Sequence, residues 1–291
     1  MQEGTIWFIC QGLVAAIALA CGFWFARGPG RRCAVAVLAA LALLALWAWL
    51  QRHPSVLVQA VPVHILRYFE GTGAVPLFMF IMGVVCQRSA LPRQKGLAGM
   101  AVCLGVLYFL YGGLWMVQTT PARLLQVTSV ADQTLQSEHF SCVPAACATA
   151  LNRLGVPASE GEMAGLTDTR RGSGATLIRA MDALQSKLSS RQVKVVLAEP
   201  RYEKLRKLPM PALALLQPEA LRRHMVVLDA VGAKGVTLFD PQIGQIFMSR
   251  RAFERMYCGQ VLAFSFVPAG RVPARCCSSV DESGLIHRIC R

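Results

Sequence analysis

Residues 136–155 read QSEHFSCVPAACATALNRLG, and this stretch decides how the second half of the chain is read. Ser141 stands as an N-cap, Cys142 opens a helix, Pro144 lies in its first turn and Gly155 ends it. A cysteine at that address is chemically distinctive. A helix N-terminus carries roughly +0.5 of an elementary charge, which favours thiolate over thiol and lowers a cysteine pKa from its free value of about 8.5. Cys147, little more than one turn further on, reads as core.

A thiolate nucleophile needs an imidazole to share its proton, a group to orient that imidazole, and donors for the oxyanion that forms on the attacked carbonyl. His224 opens the apolar run HMVVLDAV and Asp240 closes the next one, VTLFDP. If the two runs are adjacent antiparallel strands joined by the turn at 232–235, the start of the first lies beside the end of the second, with the Asp240 carboxylate against the His224 ring. Gln136 offers a side-chain amide beside the backbone N–H of Cys142. Three rivals remain open: His139 as base, Asp229 as orienter and Gln133 as amide donor.

Gln136, five intervening residues and Cys142, then Pro144 and Ala145, followed downstream by PALALLQ, RHMVVLDAV and FDPQIGQIFMS, resemble the double-glycine leader (bacteriocin-processing) peptidases, a family of papain-like cysteine peptidases. The resemblance spans about 130–267. It implies a papain-like α+β domain with Cys142 as nucleophile, His224 as base, Asp240 as orienter and Gln136 in the oxyanion hole. It also implies cleavage of a leader or precursor peptide after a pair of small residues. Val143 stands where the family usually has Gly, a side chain that narrows the site. The same residues serve two other functions: a non-catalytic peptide-binding module of this fold, or an amidase or acyltransferase that uses the same triad.

The chain has 291 residues, 54% of them hydrophobic, with mean hydropathy +0.44, too apolar for an ordinary soluble protein of this size. Its net charge of +14 divides into about +6 over residues 1–118 and +8 beyond. No Lys/Arg stripe interleaved with aromatics is present, which argues against nucleic acid as a partner. Of eleven cysteines, Cys10, Cys21, Cys33, Cys86 and Cys103 lie in or beside apolar segments, where cysteine acts as a small hydrophobe. No C-x-x-C pair occurs, so the sequence calls for no metal, and no cofactor motif is found. Cys258, Cys276, Cys277 and Cys290 are available for disulfides if their half of the chain is extracytoplasmic, with a connectivity that spacing does not determine.

Four apolar stretches fill the first part, at 5–26, 33–50, 73–87 and 96–117, each near the 20 or so residues that cross a bilayer except the short third. Basic residues follow the first stretch instead of preceding it, the wrong polarity for a cleaved signal. HPSVLVQAVPVHILRYFE, between the second and third, is broken by Pro54 and Pro62 and reads as an amphipathic helix in the membrane interface, with His64 a bland member. Arg27, Arg31 and Arg32 mark one loop, and Arg88, Arg93 and Lys95 another, as cytoplasmic. Four spans then put everything after about residue 119 outside the cytoplasm. Tyr108, Tyr111 and Trp115 suit an aromatic belt at the outer end of the last span. The expected organisation is an all-α transmembrane domain over 1–118, a linker over 119–132, an α+β domain over 133–267 and a Cys/Arg-rich tail over 268–291, in a multi-pass cell (inner) membrane protein. Its partners are then the lipid bilayer and a peptide or protein substrate. No P-loop is found, so any transporter that works with it is a separate chain.

Within the α+β part, PASEGEMAGL reads as a second helix. A third starts at Ala175, with a core stripe of Leu177, Ile178, Met181 and Leu184. Strands are predicted at 192–198, 211–217, 224–231, 235–240 and 244–249, then a helix RRAFERMYC and a last strand QVLAFSFV. Helices first and an antiparallel sheet afterwards is the α+β pattern.

Overall fold

The structure is a computed structural model in which residues 3–219 and 222–266 are described. The N-terminal part is helical: α1 (Glu3–Phe25), α2 (Gly30–Arg52), α3 (Pro54–Ala60), α4 (Val63–Phe69), α5 (Val75–Arg88) and α6 (Pro92–Gly113), the last extended by a 3-10 turn at Leu114–Met116. Three of these are long and apolar enough to cross a membrane: Glu3–Phe25, Gly30–Arg52 and Pro92–Met116. α5, the expected third span, has 14 residues and is about 21 Å long at 1.5 Å per residue, so three helices of crossing length stand where four were expected.

α1 and α5 approach closely because glycine faces glycine. A Cβ at Gly22 would meet the Phe80 carbonyl oxygen at 2.2 Å, and one at Gly83 would meet that of Leu19 at 2.3 Å. Small residues at such crossings let apolar helices gain van der Waals contact where lipid supplies no hydrophobic drive. Arg88 hydrogen-bonds the Gly28 carbonyl, so the two basic loops meet at one end of the helices. Gly4 and Met116 meet at the other end, where the α+β part is attached.

The segment expected as one interfacial helix is instead two. Pro62 removes a backbone donor and ends the run, α3 and α4 form on either side, and Leu57, Val63 and Leu66 bury themselves in the core of the following domain. The segment at 119–132 also packs: α7 (Ala122–Leu125) inserts Leu124 against Phe140 and Ala164.

The remainder is α+β. α8 (Cys142–Arg153), α9 (Glu160–Leu166) and α10 (Leu177–Lys187) precede β1 (Val193–Ala198), α11 (Tyr202–Leu205), β2 (Ala212–Glu219), β3 (Arg222–Val231), β4 (Gly235–Asp240), β5 (Gly244–Ser249), α12 (Arg250–Met256) and β6 (Tyr257–Phe266). The strands form one antiparallel sheet in the order β1-β6-β2-β3-β4-β5. Alternation explains why residues 212–216 of β2 and 225–228 of β3 are apolar on both faces. Leu213, Leu215, Met225 and Val227 face a core shared with α8 and α10, while Ala212, Ala214, Val226 and Leu228 face a second core closed by Tyr202, Leu205 and Phe253. The tail cysteines Cys276, Cys277 and Cys290 lie outside the described residues, and Cys258 is a free, half-buried thiol.

A charged junction fastens the α+β part to the helices. Arg67 on α4 pairs with both Asp168 and Asp182. Arg170 donates to the Trp115 carbonyl at 3.0 Å, to Thr120 Oγ1 at 2.8 Å and to Asp168 Oδ1 at 3.0 Å. The Arg179 guanidinium lies 4.6 Å from the Trp115 ring centroid. Its charge is disfavoured by burial, which lowers its pKa to about 10, and Glu70 and Asp168 oppose that fall. Trp115 therefore serves the junction as well as any interfacial belt. Breaking a mostly buried ion pair leaves uncompensated charge, at a cost of about 3 kcal/mol. Arg67→Met is accordingly expected to loosen the junction by that order, read as faster protease cleavage between residues 117 and 132 than in the unsubstituted chain.

Candidate active site

Cys142 is the first residue of α8, and Gly155, at φ +71°, closes that helix in the left-handed conformation that favours glycine. Ser141 occupies the cap position, but its hydroxyl makes no capping bond to the helix. It donates instead to Glu160 Oε1 at 2.6 Å and accepts from the Glu138 N–H at 3.1 Å. The expected cap is replaced by a link between the loop before Cys142 and the start of α9.

Sheet register brings the other two groups in. Val227 faces Phe239 and Leu228 faces Leu238. One further step sets Asp240 against Val226, diagonal to His224 and on the same face of the sheet, within reach for long side chains. His224 Nε2 and Asp240 Oδ1 are 2.8 Å apart, and the carboxylate, an acceptor, fixes the proton on Nε2. The Gln242 N–H donates to the same Oδ1 at 2.8 Å. The ring's second nitrogen is left for Cys142, whose thiol is hydrogen-bonded to His224.

The electrostatics follow from these contacts. Burial by itself raises the Cys142 pKa, but the His224 hydrogen bond, the backbone N–H groups of Met225 and Val143 and the imidazolium charge outweigh it, and the thiol lies below its ordinary value. Burial disfavours the His224 cation, yet Asp240 and Cys142 together lift its pKa to about 9. Asp240 is itself raised by burial and held lower, on balance, by His224 and the Gln242 N–H. Cys142, His224 and Asp240 thus form one hydrogen-bonded line in which each neighbour favours the charged form of the next. Cys147, fully buried beside it, is shifted strongly upward and stays a neutral core thiol.

The rivals sit otherwise. Asp229 is ion-paired with Arg153 on α8, and Gln133 donates to Gln245 Oε1 at 3.4 Å. His139 borders the same cleft with its ring edge-on to Phe140, centroids 5.1 Å apart. Gln136 is near the site but turned away: its amide donates to the Glu138 carbonyl at 2.9 Å, its Oε1 has no partner among the described residues, and its backbone N–H is tied to the Pro241 carbonyl at 2.8 Å. The Glu138 carbonyl takes one of the two N–H donors of the Gln136 amide, so the other is the one available to an oxyanion. Val143 is almost wholly buried, so most of its bulk enters the core although it also borders the cleft.

Sequence reasoning missed Glu160. It is 0% exposed, accepts the Ser137 N–H at 3.0 and 3.2 Å and the Ser141 hydroxyl, and so holds the loop from Gln136 to Cys142 in place. The Ser159-x-x-Glu162 pattern at the start of α9 reads as ordinary helix capping, and Glu160 is only one of its intervening residues. The Ser159 hydroxyl does accept from the Glu162 N–H, leaving Glu160 free to face the loop.

Residues 131–267 match the Peptidase C39 family. An uncharacterized protein of Methanothermobacter thermautotrophicus is 35% identical over 138 residues, which are 46% of this chain and 90% of that protein. An uncharacterized protein of Methanothermobacter marburgensis is 35% identical over 128 residues, 44% of this chain and 83% of that one. Among solved structures, a double glycine motif protease from an AMS/PCAT transporter in complex with the leader peptide is similar at 20% identity and TM-score 0.41, over 48% of this chain and 94% of that one. The peptidase domain of Streptococcus ComA, a bi-functional ABC transporter involved in a quorum sensing pathway, is similar at 15% identity and TM-score 0.41, over 46% and 97%.

Removing the Glu160 carboxylate strands two donors in a closed space, each worth about 1–3 kcal/mol. Glu160→Ala is expected to lower stability by about 3 kcal/mol in denaturant unfolding and to slow alkylation of Cys142, and Glu160→Gln, which keeps the acceptor, to restore most of both.

Proposed function

The chain belongs to the Peptidase C39 family, and from that membership we propose that it is a membrane-anchored cysteine peptidase that cleaves a leader or precursor peptide. The observation that carries the reading is the hydrogen-bonded line Cys142–His224–Asp240 at the N-terminus of α8. In this proposal the Cys142 thiolate attacks a peptide carbonyl, a C–S bond forms, and the negative charge moves to the carbonyl oxygen. The backbone N–H of Cys142 is free to receive that oxygen, because the first N–H groups of a helix have no intrahelical acceptor. The second N–H of the Gln136 amide joins it. As the tetrahedral adduct collapses, the C–N bond breaks and His224 gives its proton to the departing amine. Water then attacks the thioester, His224 takes a proton from it, and the thiolate leaves with the acid released. Asp240 holds the ring and its charge throughout.

The chain is read as inserted in a membrane through its long helices, with the two basic loops on the cytoplasmic side. The α+β domain, attached at the opposite end, is then extracytoplasmic. A reporter fused after residue 291 is expected to be active only outside, and cytoplasmic activity would overturn the orientation without touching the chemistry.

The enzymatic proposal is tested with the full chain and peptides that contain a pair of small residues. The expected product is the free acid even with an added amine nucleophile, and a predominant amide product would favour the acyltransferase instead. The rate should fall at acid pH as the thiolate is protonated. It should fall again at alkaline pH, as His224, protonated below its pKa of about 9, loses its charge. Asp240→Asn removes the anion that raises that pKa. It should bring the alkaline limb to lower pH and reduce the rate on the order of a hundredfold, whereas an unmoved alkaline limb would remove Asp240 from the mechanism.

A further inference from the structure

The cleft that holds Cys142, of about 800 Å³, is not bordered by the α+β domain alone. Gln51 at the end of α2, Pro54 at the start of α3 and Glu70 just after α4 face it from the helical region. These contacts are built in. Leu57, Val63 and Leu66 share one core with α8 and α10, Glu199 accepts the Ser55 N–H at 3.3 Å, and Glu70 Oε2 accepts the Thr176 hydroxyl at 2.5 Å on the cleft side. With Arg67 bound to two aspartates next to them, the segment from α2 to α4 is a fixed wall.

The level of that wall can be read from α2. Its outward residues are apolar, Leu38 and Leu46 among them, up to Trp49, which is 49% exposed. Gln51 is two residues on, about 3 Å along the axis. Tryptophan collects at the boundary between hydrocarbon and headgroups, so a cleft bordered by Gln51 and Pro54 opens at the membrane surface.

We propose that the α2–α4 segment is the membrane-side wall of the substrate site, and that the substrate is a polypeptide anchored in the same bilayer and cut within a few residues of its surface. This rests on the peptidase reading above and goes beyond it by specifying where the scissile bond lies. A tethered substrate reaches the cleft at millimolar effective concentration, provided its tether spans the distance. A site at the surface needs almost no tether.

The test uses the full chain in phosphatidylcholine nanodiscs and Gly-Gly chloromethyl ketones, in which the Cys142 sulfur displaces chloride. One probe is unacylated; two carry a palmitoyl chain, through a spacer of two residues or of twenty, the latter reaching about 25 Å as a flexible coil. The short-spacer probe is expected to label Cys142 at least as fast as the long one, and on the order of ten- to a hundredfold faster than the unacylated one. Gln51→Trp, at an exposed position, is expected to slow the peptidyl probes about tenfold while leaving iodoacetamide alkylation unchanged, the size expected for blocking one side of a binding cleft. Labelling by the long and unacylated probes but not the short one would place the cleft above the membrane and overturn the inference, as would equal labelling of Gln51→Trp. Either result leaves the peptidase reading standing if iodoacetamide still alkylates Cys142 well below the free-thiol pKa of about 8.5. Loss of that alkylation in the unsubstituted chain would remove the reading and the inference together.

Discussion

The register between β3 and β4 is the constraint on which the site depends. A slip of one residue would send every side chain of β4 to the opposite face of the sheet, taking Phe239 out of the core shared with α8, Val236 and Leu238 out of the second core, and Asp240 away from His224. Val236, Leu238 and Phe239 are each at most 1% exposed, so the hydrophobic cost of a slip is far larger than anything the hydrogen bond to His224 contributes. The chemistry is thus fixed by packing that has nothing to do with chemistry. His224 and Asp240 need only stand at the ends of strands whose interiors are already specified.

The same logic applies to the other half of the site. Cys142 is positioned by the start of α8, a helix whose residues from Val143 to Leu151 are all buried. The loop that delivers the chain to this point, however, is short and mostly polar, with Phe140 as its one apolar anchor. Glu160 supplies what packing does not, with three donor contacts from Ser137 and Ser141 to one closed-in carboxylate. Gln136 is bound on both sides, by its backbone to Pro241 and by its amide to Glu138. Both bonds keep it beside the site, and the amide retains a second N–H beyond the one given to Glu138.

What was legible in the sequence and what was not divide along one physical line. Periodicity and composition reveal groups whose position follows from their own element: the α8 start, the alternating β2–β3–β4 runs, the stripe of α10, the long apolar helices. Cys142, His224 and Asp240 were readable as candidates because each stands at the boundary of such an element, and the structure brings these three within hydrogen-bonding reach while Asp229 goes to Arg153. Glu160, Arg67 and Glu70 were not readable. Their roles come from partners 23, 101 and 106 residues away, and no local pattern encodes a contact at that separation. The segment after α2 was misread for a related cause. Its apolar face looked like one made for lipid, because sequence shows that a face is apolar without showing what covers it.

That ambiguity matters for function, because the covered face joins the two parts of the molecule. Had α3 and α4 lain on the bilayer, the α+β domain would be held to the helices only through α7 and the contacts of Arg170 and Arg179 with Trp115 and Thr120. Instead Leu57, Val63 and Leu66 are shared between the two parts, and Arg67, Arg170 and Arg179 are closed in at the seam with their partners. Charges held this way gain little net stability, since desolvation offsets most of their attraction. What they contribute is geometry: a misdocked domain would leave several buried charges unpaired at once, so one orientation is strongly preferred. The cleft therefore has a defined height and direction relative to the long helices, and this is the property that a peptidase of membrane-held precursors would need and that a freely tethered one would lack.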